Sequence, residues 1–204
     1  MLNDVLSDID KQAIFSCICK EPEGDIERFV YPMFLTPENI SKFWEKAKQF
    51  KVLFQDNINN DFWKFMSVLA SQNGDRIISN GLFWMLDDMV GIYYLTHIQE
   101  HDAQIHYTFF DRRHRGRTGI TKKMIKYVFS EFNFRRLSAE IPACLTGVAA
   151  FISNLGETKP NGDGEDKWIG MVQEGRKRSA ALMDNEWYDV KCYGILKEEA
   201  EQWE

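Results

Sequence analysis

From Ile77 the chain runs IISNGLFWMLDD, MVGIYYLTHIQ and AQIHYTFFD, three stretches rich in β-branched and aromatic residues and broken by the turn signals DD and EHD. The simplest reading is three consecutive antiparallel strands joined by tight connections. The period then changes. TGITKKMIKYVFSEF, residues 118–132, spaces Ile120, Met124, Ile125, Val128 and Phe129 for one face of a helix, and RRLSAEIPA at 135–143 returns to strand.

Two helices are expected before the strands. TPENISKFWEKAKQ, residues 36–49, opens with Thr36 as N-cap and Pro37 in the first turn, and sets Ile40, Phe43, Trp44 and Ala47 on one face. NDFWKFMSVLAS, residues 60–71, has Asn60 or Asp61 as cap and Phe62, Phe65, Met66 and Leu69 at helical spacing, and NGDR at 73–76 ends it. The alternation of elements, with no internal repeat, predicts an α/β or α+β fold.

At 204 residues one core suffices, and no apolar run approaches the roughly 20 residues that would span a bilayer. The opening MLNDVLSDIDKQ is acidic where a secretory signal would be basic, so a cytoplasmic protein without membrane partners is expected. Cys17, Cys19, Cys144 and Cys192 suit neither a disulfide framework nor a zinc site, and no metal ligands are assigned. A net charge of −6 argues against nucleic acid as a partner.

Against that acidic background, DRRHRGRTGITKKM at 111–124 gathers four arginines and a histidine around one glycine, between a strand and a helix N-terminus. A first helical turn has unpaired N–H groups and a positive macrodipole end, so a glycine loop there suits a compact anion. Gly116 and Gly119 remove Cβ atoms that would hold a ligand off, and Arg113, Arg115 and Arg117 can add charge-assisted bonds to phosphate oxygens.

In this order and spacing the elements resemble the GNAT superfamily of N-acetyltransferases. Arg113-His114-Arg115-Gly116-Arg117-Thr118 is similar to its acetyl-CoA pyrophosphate motif, and GRTGIT at 116–121 to the family's G-K-G-Y-A-T. VQEGRKRSAALMDNEWYDVKCYGIL at 172–196 resembles the closing strand pair of the branch that includes ribosomal-protein N-terminal acetyltransferases. The resemblance implies a GNAT domain over 28–204, with a central, mostly antiparallel mixed sheet flanked by helices, after an N-terminal helical extension over 1–27.

The resemblance further implies acetyl-CoA as co-substrate, bound by Arg113, Arg115, Gly116, Arg117, Thr118 and Gly119. Phe109 and Phe110 would lie on the strand that splays to admit the pantetheine arm. Glu140 aligns with a fifth-strand glutamate that serves as base in some members, and His106 lies on a strand where others place histidines. Tyr188 and Tyr193 are weaker donor candidates. The acceptor would be a primary amine, on a protein N-terminus or a small molecule, attacking directly in a ternary complex; a homodimer is left open. The chain departs from the family pattern at Thr118, at Leu145 in place of a helix-opening asparagine, and at Ile152 in place of a proton-donating tyrosine. A GNAT-fold binding or structural protein without catalysis is therefore the alternative. The polar stretch GETKPNGDGEDK at 156–167 reads as an insertion, leaving the helix-ending Leu-Gly as either Leu155-Gly156 or, if shifted, Ile169-Gly170.

Overall fold

A computed structural model describes residues 15–21, 24–50, 58, 61–73, 76–87, 89–111, 116–160 and 165–204. Eight strands form one sheet in the order β1-β2-β5-β6-β7-β8-β12-β11. They are β1 (Phe15–Glu21), β2 (Gly24–Pro32), β5 (Leu82–Leu86), β6 (Gly91–Thr96), β7 (Asp102–Phe109), β8 (Arg136–Pro142), β11 (Val172–Met183) and β12 (Glu186–Leu196). All neighbours are antiparallel except β7 and β8. The expected mixed, mostly antiparallel sheet is what forms. Two small hairpins are added, β3 (Ala70–Asn73) with β4 (Arg76–Ser79) and β9 (Gly156–Pro160) with β10 (Asp166–Gly170).

The first two helices begin where side chains serve their free N–H groups. For α1 (Pro37–Ala47), Thr36 Oγ1 accepts from Asn39 N at 3.2 Å. For α2 (Phe62–Leu69) the cap is Asp61, whose Oδ1 accepts from Trp63 N at 3.0 Å and Lys64 N at 3.1 Å. These contacts stabilise by about 1 kcal/mol per cap. Three further helices follow: α3 (Arg117–Glu131), α4 (Thr146–Ser153) and the short α5 (Lys197–Ala200).

Period-2 alternation divides the core between the two sheet faces. Ile92 and Tyr94 of β6 join Phe83, Phe110 and the inward residues of α1 and α2, among them Ile40, Phe43, Phe65 and Leu69. Tyr93 and Leu95 turn the other way, to Ile105, Leu137, Ala139, Tyr193 and the α3 stripe Ile120, Met124, Ile125, Val128 and Phe129. Each such apolar side chain contributes about 1.5–3 kcal/mol on burial. Every residue named for the α3 face from its spacing is buried.

Three expectations are corrected. Residues 15–21 and 24–27, assigned to a helical extension, are strand, and β1 pairs with β2 to widen the sheet; residues 1–14 lie outside the described residues. Ala70 and Ser71, read as the end of the second helix, begin β3, because the extended Ala70 stops the helix and its strand pairs with β4. The polar stretch after α4 holds β9 and the first residues of β10, so it is a hairpin and not merely a loop. Its hydrophobic pattern is weak because both strands are half solvent-facing.

That hairpin is pinned from two sides. Lys122 of α3 donates to Glu157 at 2.8 Å, and the indole N–H of Trp203 donates to Ile169 O at 2.9 Å. Leu155-Gly156 directly follows α4, and Gly156 pairs opposite Gly170. A Cβ on Gly156 would lie 2.6 Å from Ile169 O and 2.8 Å from Gly170 Cα, which backbone cannot relieve. Gly156→Ala is therefore expected to destabilise the protein by about 1–3 kcal/mol, as overpacking does. For a chain of this size that lowers Tm by about 3–10 °C. Gly147→Ala, in α4 with nothing within 4 Å of the added Cβ, should leave Tm unchanged or raise it; thermal unfolding of both variants checks the contrast.

Candidate functional site

Strands β7 and β8 pair in parallel only from Asp102 to Gln104 and from Arg136 to Ser138. Beyond that the ladder between them stops. Each strand keeps its other partner, β6 along β7 to Phe109 and β12 along β8 to Pro142. The facing edges of residues 105–109 and 139–142 are thus left open. Backbone N–H and C=O groups inside a sheet need hydrogen-bond partners, which an extended chain lying in the gap, like water, can supply. At the closed end, Arg136 bridges Asp102 at 2.7 Å and also meets Glu174.

The start of α3 lies just beyond the open end. Gly116 is its N-cap at φ 74° and ψ 8°, left-handed backbone that favours glycine, and it provides no side-chain cap. The first turn contains no acidic residue. Thr118 and Gly119 are exposed, and a Cβ on Gly119 would meet nothing within 4 Å. Thr121 is fully buried and its hydroxyl meets Tyr93 Oη at 3.3 Å, which ties this turn to β6. An uncapped, sterically open helix N-terminus with a cation beside it fits the diphosphate of a nucleotide cofactor.

That cation is Arg117, whose guanidinium stands 5.9 Å from the centre of the Phe109 ring. Two of the residues named from sequence are thereby brought together. Phe110 goes elsewhere: its ring is buried on the α1 and α2 face, edge-on to Phe43 at 6.0 Å. Arg113 and Arg115 lie outside the described residues.

Glu140 and His106 lie on the same sheet face, on opposite sides of the splay. His106 is stacked nearly parallel on Tyr94, with ring centroids 4.5 Å apart, and its Nε2 is 2.8 Å from Thr96 Oγ1. Burial, and to a lesser extent His97, pushes its pKa down to about 4. Glu140 is partly exposed and forms an ion pair with Lys177 of β11. The carboxylate in turn raises the lysine's pKa through their hydrogen bond. Sequence reading missed Lys177, because β11 reaches Glu140 only across β12.

Tyr107 points to the opposite face, as alternation requires. Its ring is 5.3 Å from that of Phe151 on α4 and 6.3 Å from Tyr93. Tyr193 is buried in the same cluster, as packing. Ile152, standing where a proton-donating tyrosine was sought, is fully buried in the core, and Leu145 gives α4 no side-chain cap.

His106 has a measurable consequence for stability. Its folded pKa, about 4, lies below the ordinary 6.5, so between these values the unfolded chain binds more protons. The contribution is complete above about pH 6.5 and is lost as pH falls toward 4, on the order of 3 kcal/mol in total. Urea unfolding of the wild type from pH 7 to pH 4 should show this loss, and His106→Gln should show a smaller one.

No protein-family model matches the chain, and no curated protein sequence does. Solved structures match it in shape. The spermidine N-acetyltransferase of Vibrio cholerae in complex with CoA and spermine is similar with a TM-score of 0.62 at 12% identity, over 85% of this chain and 98% of that one. A probable acetyltransferase of the GNAT family from Chromobacterium violaceum gives 0.61 at 15% identity, over 95% and 94%. An acetyltransferase of the GNAT family from Bacillus anthracis gives 0.58 at 17%, over 89% and 99%. At such identities the likeness is one of architecture, and the chain has the fold of the GNAT acetyltransferases.

Proposed function

We propose that this chain is an acetyl-CoA-dependent N-acetyltransferase in which a primary amine attacks the thioester directly, in a ternary complex. The observation that carries the reading is the opening of β7 from β8 next to the uncapped start of α3. An extended pantetheine arm would supply hydrogen bonds to the open strand edge, while Gly116, Arg117, Thr118 and Gly119, with Arg113 and Arg115, hold the diphosphate. The likeness to an enzyme solved with CoA and spermine supports the same assignment.

Acyl transfer to an amine needs positioning and a route for one proton. Glu140 is the base we favour, because its carboxylate is reached by water at the rim of the splay. His106 is the weaker candidate, since its ring is stacked and one nitrogen is engaged by Thr96. Lys177 is paired with one oxygen of that carboxylate, Oε1. The acceptor is either a protein N-terminus, in keeping with the resemblance of 172–196 to the ribosomal-protein branch, or a polyamine like that of the structural neighbour. A mass-spectrometric screen with spermidine, spermine and short peptides bearing free N-termini distinguishes the two.

Calorimetry with acetyl-CoA separates an enzyme from a non-catalytic protein of the same fold that has lost the cofactor. Gly119→Asp should keep the fold, since its Cβ has open space and a carboxylate suits a helix start. It should weaken acetyl-CoA binding by about tenfold or more through like-charge repulsion. Unchanged affinity in the folded variant would refute the site.

The base assignment predicts that Glu140→Gln lowers turnover by about 10²–10⁴-fold with acetyl-CoA affinity nearly unchanged, and removes the rising limb of the pH–rate profile. If His106→Gln does this instead, the histidine is the base. Wild-type turnover in both variants across the profile would route the proton through solvent.

A further inference from the structure

Lys177 is held with its amine against Glu140, two strands away. Its own strand, β11, is the edge of the sheet, and β12 lies between it and β8. Lys177 is opposite Val190 of β12, and Glu140 is opposite Cys192. Val190 and Cys192 are two residues apart and face the same way, which puts the lysine and the glutamate on one sheet face. With strands about 4.8 Å apart, a long side chain is needed to bridge the roughly 10 Å from β11 to β8. Lys177 supplies it, and its Nζ donates to Glu140 Oε1.

This pairing brings an amine to the opening of the sheet. Glu140 belongs to the stretch of β8, residues 139–142, that no longer pairs with β7. A nitrogen hydrogen-bonded to its carboxylate stands beside the gap in which an extended pantetheine arm would lie. The pair is open to solvent, with side chains 54% and 36% exposed. The apolar cluster beneath α1 and α2 on that face takes no residue from β8, β11 or β12. Other lysines are placed differently. Lys122 and Lys159 meet Glu157 of β9, and Lys42, Lys48 and Lys64 meet carboxylates at their own helices.

We propose that Lys177 is a self-acetylation site, its amine taking the acetyl group from acetyl-CoA bound by its own chain. The inference rests on the acetyl-transfer reading above and adds an acceptor internal to the protein. At neutral pH the lysine is an ammonium, because its hydrogen bond to Glu140 raises its pKa. It first gives one proton to the carboxylate it already contacts. The freed nitrogen pair then bonds to the acetyl carbon, the carbon–sulfur bond breaks, and its electron pair leaves on sulfur. The nitrogen's second proton passes through water to the thiolate, and Glu140 releases the first to solvent. The products are CoA and an Nε-acetyl-lysine, whose lost charge ends the ion pair with Glu140. Positioning favours this amine, since a nucleophile fixed beside a bound thioester needs no separate encounter.

The test incubates the full chain with isotope-labelled acetyl-CoA and follows each lysine by peptide mass spectrometry. Label should enter Lys177 at least about tenfold faster than Lys48 and Lys64, two exposed lysines that report chemical acetylation from solution. The rate constant at Lys177 should saturate with acetyl-CoA and be independent of protein concentration, as transfer within one chain requires. Desulfo-CoA, which occupies the site without an acetyl group, should suppress label at Lys177 and leave Lys48 and Lys64 unaffected. Labelling of Lys177 at the pace of the other two overturns the proposal, as does desulfo-CoA without effect on it. A rate constant that rises with protein concentration marks transfer between chains and overturns it as well. If the wild type binds acetyl-CoA and acetylates an external amine while Lys177 stays unmodified, this inference alone fails. A wild type that does not bind acetyl-CoA by calorimetry overturns the acetyl-transfer reading, and the inference with it.

Discussion

Parallel pairing between β7 and β8 lasts for three residues on each strand, and the rest of the molecule is arranged around where it stops. To one side β1, β2, β5, β6 and β7 form an antiparallel half-sheet; to the other β8, β12 and β11 form a second. The halves are joined at Asp102 and Arg136, directly opposite in register and bridged by their own side chains. Such a partly exposed bridge contributes modestly to stability. What keeps the halves together is apolar packing across the join, with Ala103, Ile105, Leu137 and Ala139 buried under α3.

Divergence gives the two sheet faces different chemistry within a few residues. His106 and Glu140 share one face, and Tyr107 and Phe109 share the other with α3 and α4. The histidine is held neutral by burial and, to a lesser extent, by His97, and the glutamate is ion-paired with a lysine from two strands away. Near the start of α3 the balance is reversed, since an acidic protein sets a glycine-rich, carboxylate-free turn there with an arginine beside it. The local field at a helix terminus is decided by groups within one turn and by the backbone dipole, so net charge does not predict it.

Much of this was legible in the residues. Caps at Thr36 and Asp61, the five-residue stripe of α3, three strands in succession and the glycine at the head of α3 all follow from local chemistry, and each is where the pattern put it. Local rules worked there because each element buries one face and its period records which. They failed at residues 15–21 and 24–27, where pairing with a neighbouring strand decides the conformation, and in the hairpin of β9 and β10, whose residues are too polar to reveal a core side.

For the candidate site the division is sharper. The sequence by itself determined that a cation-bearing glycine turn opens a helix after a strand, and that His106 and Tyr107 face opposite ways, since backbone conformation and period-2 alternation are local properties. Only the tertiary structure decided that β7 parts from β8 after Gln104, that Lys177 meets Glu140 across an intervening strand, and that Tyr107 has a buried hydroxyl without a partner among the described residues. Those features depend on contacts between residues 34–37 positions apart or on the absence of a contact altogether, and no short-range pattern encodes either.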